Sequence, residues 1–235
     1  MFPIRDDNPS PRFPFVVLLI ILLNVVVFYL QMKTTFQMGP EAGELLVEKN
    51  ALVPARDFLT SRGLGGLKPY FASMFMHGGF LHILFNLWTL WIFGDNVEGA
   101  TGSIRFLFFY LLCGLAAAFT HCYLNPTSTV PVVGASGAIA GVMGAYMLLF
   151  PRARIQMFTL LIFWPIFFEL PAVIFLLFWF LGQLASGAQA AQMAQSAGDV
   201  GGIAFSAHIG GFIAGMILLP FFKGKKPVRA RPRSQ

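Results

Sequence analysis

Residues 106–151 read FLFFYLLCGLAAAFTHCYLNPTSTVPVVGASGAIAGVMGAYMLLFP and contain no charged side chain. This stretch is far longer than the roughly 20 apolar residues that one helix needs to cross the hydrocarbon core of a bilayer. The segment Asn125-Pro126-Thr127-Ser128-Thr129 in its middle is a turn signal, so the stretch divides into two predicted membrane spans. We expect both spans to be helical, because backbone exposed to lipid must satisfy its own hydrogen bonds.

The composition of the whole chain agrees with a membrane protein. Of its 235 residues, 57% are hydrophobic and only 11% are charged, whereas a soluble domain carries about 25% charged residues. Such a chain cannot cover a globule with polar surface, which excludes an ordinary soluble enzyme, a disordered chain and a disulfide-rich secreted module. Cys113 and Cys122 lie in or beside one apolar stretch, so no disulfide framework is implied.

Four further apolar segments flank these two spans and lie within Phe13–Met32, Pro69–Gly94, Ile155–Gly198 and Val200–Phe222. The sequence therefore predicts an all-α membrane protein, with a bundle of six transmembrane helices over residues 13–222. Residues 1–12 precede this domain, and a basic tail follows it at 223–235. The first span is too long for the apolar core of a cleavable signal and lacks a small-residue cleavage site, so we expect a retained anchor.

The positive charges predict the orientation of the six spans. An even number of spans puts both termini on one side, which collects eleven of the 16 Lys and Arg residues. The other five lie in one long loop on the opposite side. By the positive-inside rule both termini are cytoplasmic, in a cytoplasmic (inner) membrane of prokaryotic type. We therefore attribute the net charge of +6 to the orientation of the chain in the membrane and its contact with membrane lipid, and not to binding of nucleic acid.

Three polar residues fall at one depth on helices that run in the same direction. His82, Ser136 and His208 each lie about four or five residues into spans two, four and six, near the outer face. A serine hydroxyl is a weak nucleophile until a base takes its proton, and histidine is the usual base. By depth alone, either His208 or His82 fits as the base for Ser136.

Spacing favours His208 as the base. His82 and Asn86 are four residues apart and therefore lie on one helix face. Two hydrogen-bond donors on one face suit an oxyanion hole. Small residues let spans four and six approach closely, although glycine-rich faces by themselves favour simple packing. They are Gly134, Gly137, Gly141 and Gly144 on span four, and Ala207, Gly211 and Gly215 on span six.

These segments resemble the rhomboid family of intramembrane serine proteases over about residues 68–222. Gly134-Ala135-Ser136-Gly137 is similar to the family's GxSG motif, and residues 207–215, AHIGGFIAG, are similar to its AHxxGxxxG motif. Residues 77–86, HGGFLHILFN, are similar to its second-helix pattern. The resemblance implies Ser136 as nucleophile and His208 as base. It places His82 and Asn86 at oxyanion-side positions and His77 at a structural loop position.

The sequence departs from the family pattern at two places. Lys68-Pro69 stands where many members have a Trp-Arg pair, and Ala140 stands where many members stack an aromatic ring on the base. Another group must then orient His208, or its orientation is looser. Glu169 comes early in span five, nearer the cytoplasmic end, so we expect it to be interfacial and not a third catalytic group. The resemblance likewise implies a Ser–His dyad.

The resemblance also implies how the site is covered. The small and polar residues of Ala185–Gly202 are expected to form a loop that caps the active site, with span five as a neighbouring lateral gate. Phe85 lies within the second-helix pattern, next to Asn86, where packing against span five, or ordinary lipid or core packing, is expected.

The predicted function is that of an intramembrane serine endopeptidase that cuts transmembrane segments of other membrane proteins near the outer face. No metal or organic cofactor is expected, because no acidic ligand shares the depth of the histidines and His121 sits apart in the outer loop. Two other classes stay open. A non-catalytic membrane-binding protein would not need Ser136 and His208 intact, and a proton-coupled transporter would want acids near the midplane and often an internal repeat.

Overall fold

The computed structural model describes residues 2–10, 12–58, 66–197 and 204–224. Its helices are α1 (Phe15–Met38), α2 (Pro40–Asn50), α3 (Pro54–Asp57), α4 (Lys68–Ala72), α5 (Phe80–Thr101), α6 (Ser103–Leu124), α7 (Ser136–Leu149), α8 (Ala172–Ala197) and α9 (Phe205–Phe222). Its strands are β1 (Phe2–Asp6), β2 (Arg154–Leu161) and β3 (Trp164–Pro171). The predicted basic tail lies outside the described residues beyond Gly224.

The described chain is mostly helical, and its long helices are apolar. Within it, α1, α6, α8 and α9 are each long and apolar enough to cross a membrane. The helix α7 is equally apolar but has only 14 residues, and α5 carries Asp95 and Glu98 in its second half. The prediction of a helical integral membrane protein is confirmed at this level.

The segment predicted to hold the fifth span is helical only in its second half. Residues from Arg154 to Pro171 form the antiparallel hairpin β2–β3, and α8 begins only at Ala172. Pro165 and Pro171 disfavour a helix interior here, because proline removes a backbone donor and clashes with the preceding turn. Both prolines are tolerated on β3, which is an edge strand of the three-stranded sheet β1-β2-β3.

The N-terminal strand β1 completes this sheet and lies against α5. Phe2 pairs with Phe158 of β2, and its ring packs on Phe85 and Trp88 with centroid distances of 5.5 and 5.7 Å. The indole N–H of Trp88 donates to the Pro3 carbonyl at 2.8 Å. Phe85 therefore contacts the chain's own N-terminal strand.

A buried carboxylate joins α1 to α5. Glu98 is 2% exposed, and its oxygens accept the backbone N–H groups of Val16 and Val17, the latter at 2.8 Å. The hydroxyl of Ser103 donates to the same carboxylate at 2.5 Å. Because α1 has no side-chain cap of its own, Glu98 caps it from another helix, and the negative charge complements the positive end of the helix dipole.

We expect Glu98→Ala to destabilise the fold, because three donors lose a charged acceptor. Hydrogen bonds to charged groups contribute about 1.5–3 kcal/mol each in net terms, so the melting midpoint in detergent should fall clearly. Glu44→Ala on the exposed face of α2 is the control and should melt like the wild type. Equal midpoints for the two variants would contradict the capping role of Glu98.

Candidate active site

Ser136 and His208 face each other at the beginnings of α7 and α9. The His208 Nε2 atom lies 2.8 Å from the Ser136 Oγ atom. Ser136 is the first residue of α7, so this helix begins later than the predicted start near Val132. The delay has a local cause: Val132 exchanges two backbone hydrogen bonds with Leu52, which holds the preceding segment extended.

His82 and Asn86 converge on the backbone just before Ser136. A Cβ built on Gly134 would lie 2.8 Å from the His82 Nε2 atom and 3.6 Å from the Asn86 Nδ2 atom. The φ angle of Gly134 is 125°, which L side chains rarely adopt, so both the space and the backbone require glycine there. The Gly78 N–H donates to His82 Nδ1 at 3.4 Å, which leaves the His82 Nε2 atom facing Gly134.

Asn86 carries an unpartnered donor at this place. Its side-chain Nδ2 atom is buried and makes no hydrogen bond within the described chain. A buried donor without a partner costs about 1–3 kcal/mol, and such groups persist where a ligand or a reaction uses them. The donor lies on the same helix face as His82, as the sequence predicts.

His77 lies next to His82, in the loop before α5. Its ring is 1% exposed and meets the His82 ring edge-on at a centroid distance of 5.1 Å. The backbone N–H and carbonyl of His77 are both bound by the amide of Gln31 on α1, at 3.2 and 3.1 Å. Burial, with a smaller contribution from His82, lowers the pKa of His77 to about 4. The ring is therefore neutral at pH 7.

The other nitrogen of His208 has a partner that the sequence prediction missed. The Gln183 Oε1 atom on α8 lies 2.7 Å from the His208 Nδ1 atom. Trp179, one helical turn earlier on α8, has its ring centroid 5.9 Å from that of His208. Trp179 thus supplies the aromatic neighbour that Ala140 does not. The signal in the sequence was a glutamine four residues after a tryptophan inside an apolar run.

A second serine contacts a histidine nearby. The His121 Nδ1 atom, at the end of α6, lies 2.7 Å from the Ser206 Oγ atom, and Asn125 donates to the same hydroxyl at 3.2 Å. His121, predicted to sit apart in the outer loop, is therefore tied to α9 two residues before His208. Within the described residues, no three His, Cys, Asp or Glu side chains are arranged to hold a metal ion.

Comparison with known proteins identifies the family. Residues 65–224 match the family model described as Rhomboid domain. The chain belongs to the rhomboid family. The match includes Ser136 and His208, as well as His82 and Asn86, and it leaves out α1 and the N-terminal strand.

Several curated relatives of this rhomboid protein are similar over part of their length. Rhomboid protein 1, mitochondrial, of Saccharomyces cerevisiae is 28% identical over 166 residues, which cover 69% of this chain and 42% of the yeast protein. Rhomboid protease GluP of Bacillus subtilis is 40% identical over 72 residues, 31% of this chain and 14% of that protein. Rhomboid-like protease 5 of Toxoplasma gondii is 30% identical over 149 residues, 62% of this chain and 15% of that protein. The chain thus spans less than half the length of each of these relatives.

Two other sequence predictions are corrected in this rhomboid protein. The predicted cap over Ala185–Gly202 is helical as far as Ala197, because α8 continues through its alanine- and glutamine-rich part; residues 198–203 lie outside the described part. Glu169 is not on a helix but on β3, where it is exposed and lies 3.3 Å from Arg154. Its expected position at the membrane interface stays a prediction.

The altered first loop of this rhomboid protein is held by other contacts. Lys68 begins α4 and Pro69 occupies its first turn, where the missing N–H of proline is tolerated. The Tyr70 ring stacks on Phe119 of α6 with a centroid distance of 4.8 Å. The Ser73 carbonyl, directly after α4, accepts the N–H of Gly134 at 2.8 Å. The loop therefore supports the segment that leads into α7.

Glycines set the distance between α7 and α9. A Cβ on Gly211 would lie 2.0 Å from the Gly137 carbonyl oxygen, and one on Gly215 would lie 1.9 Å from the Gly141 carbonyl oxygen. Real Cβ atoms do not approach backbone this closely, so only glycine permits the observed contact between the two helices.

We expect Gly211→Ala to push α9 away from α7 and to destabilise the protein. Overpacking of a close contact typically costs about 1–3 kcal/mol, so the melting midpoint in detergent should fall. Gly182→Ala on α8 is the matched control, because no atom lies within 4 Å of its added Cβ. Should both variants melt together, the glycine contact would not hold α7 and α9.

Proposed function

We propose that this rhomboid protein is an intramembrane serine endopeptidase that cuts peptide bonds in or near the transmembrane segments of other membrane proteins. The observation that carries the proposal is the 2.8 Å contact between Ser136 Oγ and His208 Nε2, beside the unpartnered donor of Asn86. The names of the relatives from Bacillus subtilis and Toxoplasma gondii, which both include the word protease, agree with it.

The geometry supports a two-step reaction. The Ser136 hydroxyl attacks the scissile carbonyl carbon while His208 Nε2 takes the hydroxyl proton. The tetrahedral intermediate collapses as the same proton passes to the leaving amine, which gives an acyl-enzyme and an amine product. Water then attacks the ester, with His208 again as base, and releases the carboxylic acid and Ser136.

Three donors are available for the negative charge that develops on the carbonyl oxygen. Asn86 offers its unpartnered Nδ2–H. His82 offers an Nε2–H, because its Nδ1 atom accepts from Gly78 and so carries no proton. The Ser136 amide is the third, since the first N–H groups of a helix have no intrahelical acceptor. Donors positioned before the reaction stabilise the transition state more than the ground state.

The alternative base, His82, is less well placed. The His82 Nε2 atom faces Gly134, whereas the Ser136 hydroxyl contacts His208. His82 therefore fits a hydrogen-bond donor better than a proton acceptor for Ser136.

We further propose that α1, α5, α6, α7, α8 and α9 are six membrane spans, with both termini cytoplasmic in a cytoplasmic membrane of prokaryotic type. The distribution of Lys and Arg supports this orientation. The starts of α5, α7 and α9 then lie together near the outer face, which is where a substrate segment would be cut.

Ser136→Ala and His208→Ala should each reduce cleavage to background, because each removes one partner of the nucleophile–base pair. Cleavage is measured by incubation with a panel of single-span membrane proteins and by mapping of the products. Labelling by a fluorophosphonate probe reports the nucleophile directly and should be absent in Ser136→Ala.

Two matched variants serve as controls. Ser206→Ala removes the other serine that contacts a histidine, and Glu169→Gln removes the exposed carboxylate on β3. Both should retain most of the labelling and cleavage. Normal cleavage by Ser136→Ala, or loss with Glu169→Gln as severe as with His208→Ala, would rule out the proposed dyad.

Asn86→Ala and His82→Ala should lower turnover without abolishing it. Loss of one oxyanion donor typically costs about 10²–10³ in turnover, and the Ser136 amide and the other side chain remain in each variant. Fluorophosphonate labelling should persist at a reduced rate in both, with folding checked by thermal melting in detergent. The reverse order, with labelling lost in His82→Ala and kept in His208→Ala, would make His82 the base.

A further inference from the structure

We propose that Gln183 is a positioning residue for His208, and that its side-chain oxygen holds the imidazole in the tautomer that can accept a proton from Ser136. This inference rests on the proposed function of the Ser136–His208 pair. Its basis is the 2.7 Å contact between Gln183 Oε1 and His208 Nδ1 on the side of the ring away from Ser136.

The chemistry of the two ring nitrogens makes this contact directional. A neutral imidazole has one N–H donor and one acceptor nitrogen. A carbonyl oxygen at Nδ1 requires the proton to be on Nδ1, which leaves the Nε2 lone pair for the Ser136 hydroxyl. The opposite amide orientation would place an N–H donor at Nδ1 and would leave Nε2 protonated and unable to act as base.

Trp179 and Gln183 hold the same ring from one face of α8. The two residues are four positions apart and therefore neighbours on the helix surface. The Trp179 ring lies against His208 with an interplanar angle of 33°, while Gln183 binds its edge. The neighbouring indole ring restricts the tilt of the imidazole, and the hydrogen bond restricts its rotation.

A neutral acceptor suits this position better than an acid. Glu169 is paired with Arg154 on the sheet and is exposed, so it does not serve as a third group. Gln183 is half-buried, so a carboxylate in its place would carry some desolvation cost among the membrane helices. The glutamine amide supplies the same acceptor geometry without that cost, although it stabilises the imidazolium that forms during the reaction less strongly.

The test compares three variants by fluorophosphonate labelling rate. Gln183→Met keeps the length of the side chain but removes the acceptor. We expect labelling to slow by about 10- to 100-fold, by analogy with the loss of the hydrogen-bond partner that orients a metal-bound histidine. Gln183→Glu restores an acceptor and should recover much of the rate. Gln189→Met, at an exposed position on the same helix, should label like the wild type.

A second measurement reads the tautomer without any activity. The protein is prepared with nitrogen-15 in its histidine rings, and the His208 signals are assigned by their loss in His208→Gln. The spectra should show the proton on Nδ1 in the wild type. Gln183→Met should shift this population towards the Nε2-protonated form. Thermal melting in detergent shows whether each variant is folded. The Gln183→Glu variant is measured in the same way, as a second test of the hydrogen bond to His208 Nδ1.

The outcomes separate the two proposals. In one outcome the wild type does not react with the fluorophosphonate, His208 is protonated on Nδ1, and this protonation changes in Gln183→Met. That outcome would overturn the protease proposal and retain the positioning role. A labelled wild type whose rate and tautomer are unchanged in Gln183→Met would overturn the role of Gln183 and leave the dyad intact. A slower Gln183→Met that Gln183→Glu fails to rescue, with the tautomer unchanged, would also overturn it and would indicate a packing role.

Discussion

The contact between the backbones of α7 and α9 determines the geometry of the candidate site. Gly211 and Gly215 lie against the carbonyl oxygens of Gly137 and Gly141 with no space for a side chain. A serine side chain is short, so it reaches a histidine on another helix only if the helices nearly touch. The Ser136–His208 contact, and the chemistry that we propose for it, depend on this approach. The neighbouring helices add side chains to the site, but the distance between Ser136 and His208 depends on α7 and α9.

Polar groups in this apolar protein are few, and most of them are tied to backbone. Glu98 caps α1, and the amide of Gln31 binds both backbone groups of His77. Unpaired polar groups are expensive away from water, and within the described residues only Asn24, His77, Asn86 and Tyr110 have a buried side-chain atom without a hydrogen bond. The free donor of Asn86 lies beside Gly134, where charge would develop on a substrate carbonyl.

The sequence could not predict the hairpin β2–β3 or the role of α8 in the site. A run rich in aromatic and β-branched residues has the same hydropathy in a strand as in a helix, and only the two prolines argue against a helix. Gln183 is 25 residues away from His208 in the chain, and its meaning depends on how α8 packs on α9. The spacing of Trp179 and Gln183 places both on one helix face, but it does not show which residue of another helix that face contacts.

The sequence by itself determined that the chain is a helical membrane protein. It singled out Ser136, His208 and His82 as polar residues at one depth, and Asn86 as a polar residue on the same helix face as His82. These inferences depend on local properties: the length of apolar runs, the direction of each span and the periodicity of the helix. Only the tertiary structure decided which histidine contacts the serine, and which group binds the other ring nitrogen of that histidine. Those choices depend on distances of a few ångströms between separate helices, which packing of side chains and backbone sets.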